Sequence, residues 1–305
     1  MADTQSLTNH LITIRDYIRY AYTQFNRADI FYGHGTDNAW DEAVFLVART
    51  LSLPWDIDAD LLDARLVPEE KEEILRRISL RVDKRMPLPY LLGEALFMGL
   101  SFKVNDHVLI PRSPIAELIE NGFAPWVVHE DVNRILDLCT GSGCIGIAAA
   151  FEFPAATVDL SDLSADALEI ASENIQAHQL QDRVSVIQSD VFENIEGRYD
   201  IIVTNPPYVD AGDMHSMPDE FRHEPEMALA CGEDGLDIVR VILREAREYL
   251  TENGILVVEV GNSWMALEAL FPDIIFNWVE FEHGGGGVFI MMAEELDLYA
   301  DLFVS

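Results

Sequence analysis

The chain has 305 residues, of which 49% are hydrophobic, and its 54 acidic residues against 20 basic ones give a formal net charge of −34. This length predicts two domains, although one large α/β unit would also account for it. An acidic surface repels bare nucleic acid, whose binding depends on phosphate neutralisation, and attracts a basic protein partner. A surface tuned for solubility in a salty cytoplasm would give the same charge balance.

The three cysteines, Cys139, Cys144 and Cys231, are an odd number, and none belongs to a C-x-x-C motif. This pattern argues against a disulfide framework and against a zinc site, so no metal is expected. The first ten residues lack the basic start and apolar stretch of a signal peptide, and no apolar run approaches the length of a membrane span. We therefore expect a cytoplasmic protein that has no membrane partner.

Residues 1–92 are predicted to form a helical domain. Apolar residues in 37–51 recur at helical spacing, and Pro68 followed by the acidic run EEKEE is typical of a helix start. The densest basic cluster of the chain follows in residues 76–85. It could contact RNA, but we favour a solvated helix face whose arginines pair with the abundant acids.

Residues 93–112 are predicted to form a β-hairpin linker, and residues 113–305 alternate between strands and helices. Such alternation predicts a parallel sheet wrapped by helices. The last two strands are separated only by the glycine run 284–287, so we expect an antiparallel pair; phosphate binding by that run is disfavoured because no helix follows it. The predicted strands are 134–138, 157–160, 184–188, 199–204, 255–260, 274–281 and 288–292.

The first of these strands leads into a glycine loop, residues 137–143, with the sequence DLCTGSG. A strand, a glycine turn and a helix form the geometry by which open α/β sheets bind nucleotide-like ligands. The glycines also partly fit the dinucleotide fingerprint G-x-G-x-x-G, so NAD is an alternative ligand. Asp162, at the end of the next strand, could bind ribose hydroxyls; Asp159 competes for this role but lies within the strand. Asp190 ends the third strand and could accept a hydrogen bond from an adenine amino group.

The fourth strand ends in Asn205-Pro206-Pro207-Tyr208. Two prolines stiffen the turn and remove two donors, which leaves the Pro206 carbonyl and the Asn205 side-chain oxygen as acceptors for both hydrogens of one NH2 group. Nitrogen methylation of an amide needs such acceptors, because positive charge grows on a nitrogen whose lone pair is delocalised. A proline turn that merely caps a buried strand is the alternative. The position of the motif on a sheet that carries the glycine loop disfavours both this alternative and NAD.

With these motifs the chain resembles class I S-adenosylmethionine-dependent methyltransferases that act on exocyclic or amide nitrogens. YLLG (90–93), FMGLSF (97–102) and VLIPR (108–112) resemble glutamine methyltransferases that have a helical N-terminal domain. One branch of these enzymes acts on peptide release factors, the other on the third protein of the large ribosomal subunit. The segments 111–115, 137–140, 222–226 and 259–263 resemble the ribosomal-protein branch, and the resemblance covers nearly the whole chain.

The resemblance implies a Rossmann-like, doubly wound, seven-stranded sheet with an antiparallel last strand. It implies transfer of a methyl group from S-adenosylmethionine to a glutamine amide nitrogen of a basic ribosomal protein, either free or within an assembling large subunit. The implied cofactor-binding residues are Asp137, Thr140, Gly141, Ser142, Gly143, Asp162, Asp190, Val191 and Asn205. The implied catalytic residues are Asn205, Pro206 and Tyr208, and substrate contacts would come from Asn205, Pro206, Pro207, Tyr208, Arg222 and His223.

Three alternatives remain at this point. The target could be a release factor instead of the ribosomal protein. The Asn-Pro-Pro-Tyr turn would also accommodate an amino group of a flipped DNA or RNA base, although no basic groove is visible. A ribosome-assembly binding protein that has lost catalysis is the third, and the intact glycine loop and Asn-Pro-Pro-Tyr motif speak against it.

Overall fold

The computed structural model describes residues 4–54 and 56–303. The chain folds as two compact units. Unit 1 comprises Met1–Ala95 together with the later segment Pro218–His223, and unit 2 comprises Leu96–Met217 and Glu224–Ser305. The first unit therefore includes six residues that lie far along the chain from its helices.

Unit 1 is helical. Thr13 begins one of its helices with a capping box completed by Asp16, and Asn38 caps another through the amides of Trp40 and Asp41. The helix that starts at Pro68 has the predicted first turn. The helices are α1 (Thr4–His10), α2 (Ile14–Ala28), α3 (Ala39–Thr50), α4 (Pro68–Asp83) and α5 (Leu88–Leu92).

One side chain of the basic cluster on α4 departs from the predicted solvated face. Arg76 is exposed and pairs with Glu73 on its own helix, as expected. Arg81, in contrast, is only 1% exposed and is bonded to Glu42 and Glu220. The expectation of a uniformly solvated face is therefore wrong at Arg81, because two buried carboxylates compensate its charge.

Two short strands follow the helices. They are β1 (Glu94–Phe97) and β2 (Leu100–Lys103), and they form a two-stranded sheet. The turn between them consists of Met98 and Gly99, whose φ angles are 50° and 73°. Positive φ at both turn positions matches the twist of a tight hairpin.

Unit 2 contains a seven-stranded sheet, as predicted. Its strands are β3 (Arg134–Leu138), β4 (Thr157–Asp162), β5 (Val184–Gln188), β6 (Tyr199–Thr204), β7 (Leu250–Glu259), β8 (Asn277–Trp278) and β9 (Val288–Met292). Their order is β5-β4-β3-β6-β7-β9-β8. The strands from β5 to β7 are parallel, and β9 pairs antiparallel with both of its neighbours, which confirms the class I methyltransferase topology.

Three strands differ from the predicted bounds. β4 ends at Asp162, two residues beyond the predicted 157–160. β8 is much shorter than the predicted 274–281, because the Trp278 amide donates to the Phe276 carbonyl within the same segment instead of extending the ladder. β7 begins at Leu250, five residues before the predicted start, because Leu250 already pairs with Tyr199 of β6.

Helices cover both faces of this sheet. Successive strand residues point to opposite faces, so Ile135 belongs to one apolar cluster and Leu136 to the other. None of the helices in the described part of the chain is long and apolar enough to cross a membrane. The helices of unit 2 are α6 (Ile115–Glu120), α7 (Cys144–Glu152), α8 (Ala165–Ala177), α9 (Ala211–Ser216), α10 (Asp237–Glu245), α11 (Trp264–Leu270) and α12 (Ala293–Tyr299).

Candidate active site

A cleft lies in unit 2 where the carboxyl ends of β3, β4, β5 and β6 meet. Parallel strands bring their carboxyl ends to one edge of a sheet, so the loops that follow them converge there. Many of the predicted site residues line the cleft, namely Thr140, Gly141, Ser142, Asp162, Asp190, Val191, Asn205 and Pro207. Asp137, Gly143, Pro206, Tyr208, Arg222 and His223 do not line it.

The glycine loop turns sharply between β3 and α7. Gly141 has φ +55°, and a side chain built on it would meet no other atom within 4 Å. Glycine at this position therefore leaves open space in the cleft and lets a ligand approach the main chain. The Ser142 hydroxyl lies in the cleft wall, is buried, and has no hydrogen-bond partner within the described residues.

Asp137 lies behind this loop. Its Oδ2 accepts hydrogen bonds from the Thr140 hydroxyl at 2.5 Å and from the Gly146 amide at 2.9 Å. Complete burial raises the pKa of the Asp137 carboxyl to about 7, against the lowering effect of these two hydrogen bonds. The Asp137 side chain thus links Thr140 of the glycine loop to Gly146 in the first turn of α7.

Asp162, at the end of β4, lines the cleft and also supports the glycine loop. One carboxylate oxygen accepts from the Gly141 amide and the other from the Ser164 amide, both at 2.9 Å. Burial raises the pKa of this carboxyl. The competing candidate, Asp159, does not line the cleft, because it is engaged by Arg134 and by the Tyr199 hydroxyl.

The loop after β5 brings Asp190 and Val191 to the cleft. Asp190 is exposed, whereas Val191 is half-buried and has φ +46°. This left-handed conformation is unfavourable for a β-branched residue. Backbone strain of this kind clusters at ligand sites, where the surrounding structure enforces it.

The loop after β6 carries the Asn-Pro-Pro-Tyr motif. The Thr204 hydroxyl donates to the Leu138 carbonyl at 2.8 Å, which joins the ends of β6 and β3. Asn205 is half-buried at the cleft wall, and the two prolines that follow are buried. A rigid turn therefore places the Asn205 side chain beside the glycine loop.

Tyr208 is held by residues after β7. Its hydroxyl donates to Glu259 Oε1 at 2.9 Å, and its carbonyl accepts from the Ser263 hydroxyl at 2.8 Å. Gly261 lies directly under the ring, since a side chain built there would come within 2.5 Å of the Tyr208 Cε2 atom. Burial and the neighbouring Glu259 charge raise the pKa of Tyr208 far above its ordinary value.

The segment 107–113 forms a wall of the cleft that sequence reasoning missed. Arg112 lines the cleft and donates to both oxygens of Glu224, at 2.8 Å and 3.0 Å. Ser113 donates to Glu259 Oε2 at 2.5 Å. The sequence signal for this wall was the VLIPR segment, which directly precedes Ser113.

The two residues predicted to contact substrate after α9 belong to unit 1. His223 Nε2 is hydrogen-bonded to the Lys84 carbonyl at 2.7 Å. Arg222 is exposed and lies 3.6 Å from an Asp219 carboxylate oxygen. Their contact with substrate stays a prediction.

Among residues 4–54 and 56–303, no three His, Cys, Asp or Glu side chains are grouped so that they could hold a metal ion. All three cysteines lie within these residues and are unpaired thiols. Burial raises the pKa of Cys139, Cys144 and Cys231, so the thiol form dominates at neutral pH.

A parallel sheet with one antiparallel strand, and a glycine loop facing an Asn-Pro-Pro-Tyr turn across its carboxyl edge, define a methyltransferase. The model of the methyltransferase small domain matches residues 123–232, which include both loops. A solved methyltransferase structure from Pyrococcus furiosus is 16% identical, with a TM-score of 0.46, and covers 74% of this chain and 99% of that one.

Two curated relatives are similar over almost the full length. The ribosomal protein uL3 glutamine methyltransferase of Francisella tularensis is 49% identical over 98% of this chain and 96% of the relative. The enzyme of the same name from Neisseria gonorrhoeae is 47% identical over 94% of this chain and 96% of the relative. The chain belongs to the ribosomal protein uL3 glutamine methyltransferase family, and the resemblance seen in its motifs is confirmed.

Proposed function

We propose that this protein transfers a methyl group from S-adenosylmethionine to the side-chain amide nitrogen of a glutamine in ribosomal protein uL3, in the cytoplasm. One observation carries the proposal. Asn205 lines the same cleft as the glycine loop and Asp162. The names of both relatives support this choice of target over release factors and nucleic-acid bases.

The residues of the cleft fit S-adenosylmethionine. Asp162 would hold the ribose hydroxyls, and Asp190 and Val191 would hold the adenine. The main chain of 140–143 would face the methionine end, where the open space above Gly141 and the unpaired Ser142 hydroxyl support a polar ligand. Asp137 would act from behind, by fixing Thr140 and the loop. When bound, the cofactor supplies an electrophilic methyl group on a positively charged sulfur and leaves as S-adenosylhomocysteine.

The Asn-Pro-Pro-Tyr turn would grip the glutamine amide. The Asn205 side-chain oxygen and the Pro206 carbonyl would accept the two amide hydrogens, and Pro207 and Tyr208 would enclose the flat carboxamide. Acceptors aimed at these hydrogens stabilise the charge that grows on nitrogen during methyl transfer more than they stabilise the neutral ground state. Alignment in such sites contributes up to roughly 7–11 kcal/mol of barrier lowering.

We assign protein recognition to residues 1–92, a linking role to the hairpin region 93–112, and methyl transfer to 113–305. The segment Pro218–His223, which belongs to unit 1, follows shortly after Tyr208 along the chain and supports a coupling of recognition to the catalytic loop. Arg222 and His223 on this segment would contact the substrate protein. The net charge of −34 favours a basic partner such as a ribosomal protein, either free or within an assembling large subunit.

The test is incubation of the purified enzyme with radiolabelled cofactor and, in separate reactions, uL3, a peptide release factor and ribosomal RNA. We expect label in uL3 alone, and its loss in a uL3 variant whose target glutamine is replaced by alanine. Label in the release factor or RNA, or label that persists in every glutamine-to-alanine variant of uL3, would contradict the proposal.

A further inference from the structure

The carboxylate of Glu259 connects Ser113, in the cleft wall, to Tyr208 of the Asn-Pro-Pro-Tyr motif, which is distant in sequence. It accepts a hydrogen bond from the Tyr208 hydroxyl at 2.9 Å on one oxygen and from the Ser113 hydroxyl at 2.5 Å on the other. Glu259 is only 5% exposed. Because an ionised carboxylate is an acceptor only, it suits a place between two hydroxyl donors.

The Ser113 hydroxyl, which donates to Glu259, is itself held in place by a second hydrogen bond. The Ser113 hydroxyl also accepts a hydrogen bond from the Ile115 amide at 3.2 Å, at the first residue of α6. Glu259 is the last residue of β7, whose side chains are buried from Gly254 onwards. The carboxylate therefore has rigid supports on both sides and little freedom to follow a moving partner.

The orientation of the Tyr208 ring depends on its hydrogen bond to the Glu259 carboxylate. The ring is confined from below by Gly261, and the Tyr208 carbonyl is held by Ser263, but the hydroxyl has Glu259 as its hydrogen-bond acceptor. Rotation of the ring away from its present position would leave a part-buried hydroxyl without this acceptor, which is unfavourable. The position of the ring is thus coupled to the carboxylate.

We propose that Glu259, held by Ser113, is a positioning residue that fixes the Tyr208 ring for its contact with the substrate amide. The inference rests on the proposed function for the identity of that amide. Glu259 acts through the tyrosine and does not touch the reacting atoms. Burial raises the pKa of Glu259, whereas the hydrogen bonds from Ser113 and Tyr208 lower it by favouring the ionised acceptor.

A double-mutant cycle in methylation of uL3 tests the proposal, with variants Glu259→Ala, Tyr208→Phe and the combination of both. We expect each single variant to lower kcat/KM by about 10- to 100-fold, since misplacement near the reacting atoms has effects of this size. If Glu259 acts through Tyr208, kcat/KM of the combined variant lies within about threefold of kcat/KM of the less active single variant. If the fold-losses in kcat/KM of the two single variants multiply in the combined variant, the proposal is overturned.

Three further variants separate positioning from folding. Glu259→Gln keeps an acceptor for Tyr208 and should recover most of the activity lost in Glu259→Ala. Ser113→Ala keeps the carboxylate and should show a smaller loss of the same kind, which provides a second route if Glu259→Ala folds poorly. Glu252→Gln changes an exposed glutamate on the same strand and should behave as the wild type. Equal losses of S-adenosylmethionine affinity and activity in Glu259→Ala, measured by calorimetry, would instead assign Glu259 to the cofactor cavity.

A spectroscopic measurement does not depend on the substrate. In protein labelled with [¹³Cζ]tyrosine, the Tyr208 resonance is identified by its absence in Tyr208→Phe. We expect it to shift in Glu259→Ala and to stay in place in Glu252→Gln; an unchanged resonance in Glu259→Ala would refute the positioning role. If the Tyr208 resonance shifts in Glu259→Ala but the wild-type enzyme does not methylate uL3, the proposed function is rejected and the positioning role stands.

Discussion

The Asp137 carboxylate accepts a hydrogen bond at 2.5 Å from the hydroxyl of Thr140, three residues further along the same turn. The same oxygen accepts from the Gly146 amide, while the other oxygen is buried and unpartnered within the described residues. A fully buried carboxylate binds a proton more readily than it does in an unfolded chain, because burial disfavours its charged form. Its ionisation is therefore linked to the stability of the glycine loop.

This linkage predicts a pH dependence of stability. The pKa of Asp137 is about 7 in the folded protein against 3.8 in a free chain, so its contribution is fully favourable below about pH 4 and is lost as the pH rises to about 7. Asp137→Asn keeps an acceptor for Thr140 and Gly146 and removes the titration. The free energy of unfolding of the wild type should therefore decline relative to that of Asp137→Asn between pH 4 and pH 7. Denaturant titrations between pH 4 and pH 7 measure the free energy of unfolding of both proteins. If the two free energies change with pH in parallel, the linkage is contradicted.

Gly141 in the glycine loop and Gly146 in the first turn of α7 should respond differently to alanine. Gly141→Ala places a methyl group in open cleft space, so S-adenosylmethionine affinity should fall about tenfold or more, a difference of about 1.4 kcal/mol or more in binding free energy. Its positive φ should lower stability by only about 1–2 kcal/mol. Gly146→Ala places Cβ 2.2 Å from the Leu160 Cδ2 atom, so overpacking should destabilise the fold by about 1–3 kcal/mol. Calorimetry and denaturant unfolding of both variants check this contrast, and equal effects on binding would refute it.

Asn205→Ala should abolish most of the activity while the fold is retained. Removing one preorganised group that meets developing charge lowers kcat by about 10²–10³-fold. Because Asn205 also lines the cofactor cleft, we expect a smaller change, of about threefold, in S-adenosylmethionine affinity, well below the loss expected in kcat. Single-turnover rates and calorimetry measure the two quantities. Asn121→Ala, at an exposed asparagine, is the control; a variant of Asn205 that retains wild-type kcat would rule out its role in the reaction.

The buried ion-pair network of unit 1 should be essential for its stability. The side chains of Arg81, Glu42 and Glu220 are between 2% and 4% exposed, and Arg81 bonds to both carboxylates. Arg81→Met removes the cation that bonds to both buried acids and should cost about 3–5 kcal/mol. Arg76→Met removes an exposed pair on the same helix and should cost about 0–1 kcal/mol. Denaturant unfolding compares the variants, and similar losses in both would contradict this account.

The acidic surface should make protein binding sensitive to salt. The screening length falls from about 10 Å at 0.1 M salt to about 3 Å at 1 M, so attraction between this chain and a basic partner weakens over that range. We expect KM for uL3 to rise with ionic strength, while the affinity for S-adenosylmethionine changes little. Steady-state kinetics at increasing potassium chloride concentrations measure the effect. A KM for uL3 that stays constant would show that charge does not drive the association.

The sheet and much of the cleft could be predicted because their signals are local. Strands β3, β5 and β9 have the predicted ends, since each is a short apolar run bounded by turn residues. Thr140, Gly141, Asp162, Asp190 and Asn205 line the cleft because they directly follow such strands. Asp137 and Tyr208 belong to the same motifs but do not line this cleft, and no sequence pattern distinguishes them from the residues that do.

The parts that could not be predicted depend on contacts between distant residues. Ser113 and Glu259 are 146 residues apart, and Arg81 and Glu220 are 139 residues apart. A basic run on an amphipathic helix has the same appearance whether or not one of its arginines meets a buried acid. Such pairs follow from tertiary packing alone.

The membership of Pro218–His223 in unit 1 has a consequence for how the protein is made. Arg81 and Glu42 leave the ribosome early, whereas Glu220 is synthesised after most of the sheet. A fragment that ends near residue 92 would therefore bury a guanidinium with one of its two carboxylate partners missing. Because domains generally fold as units from the N-terminus during synthesis, the helical unit should reach full stability only once its late segment has emerged.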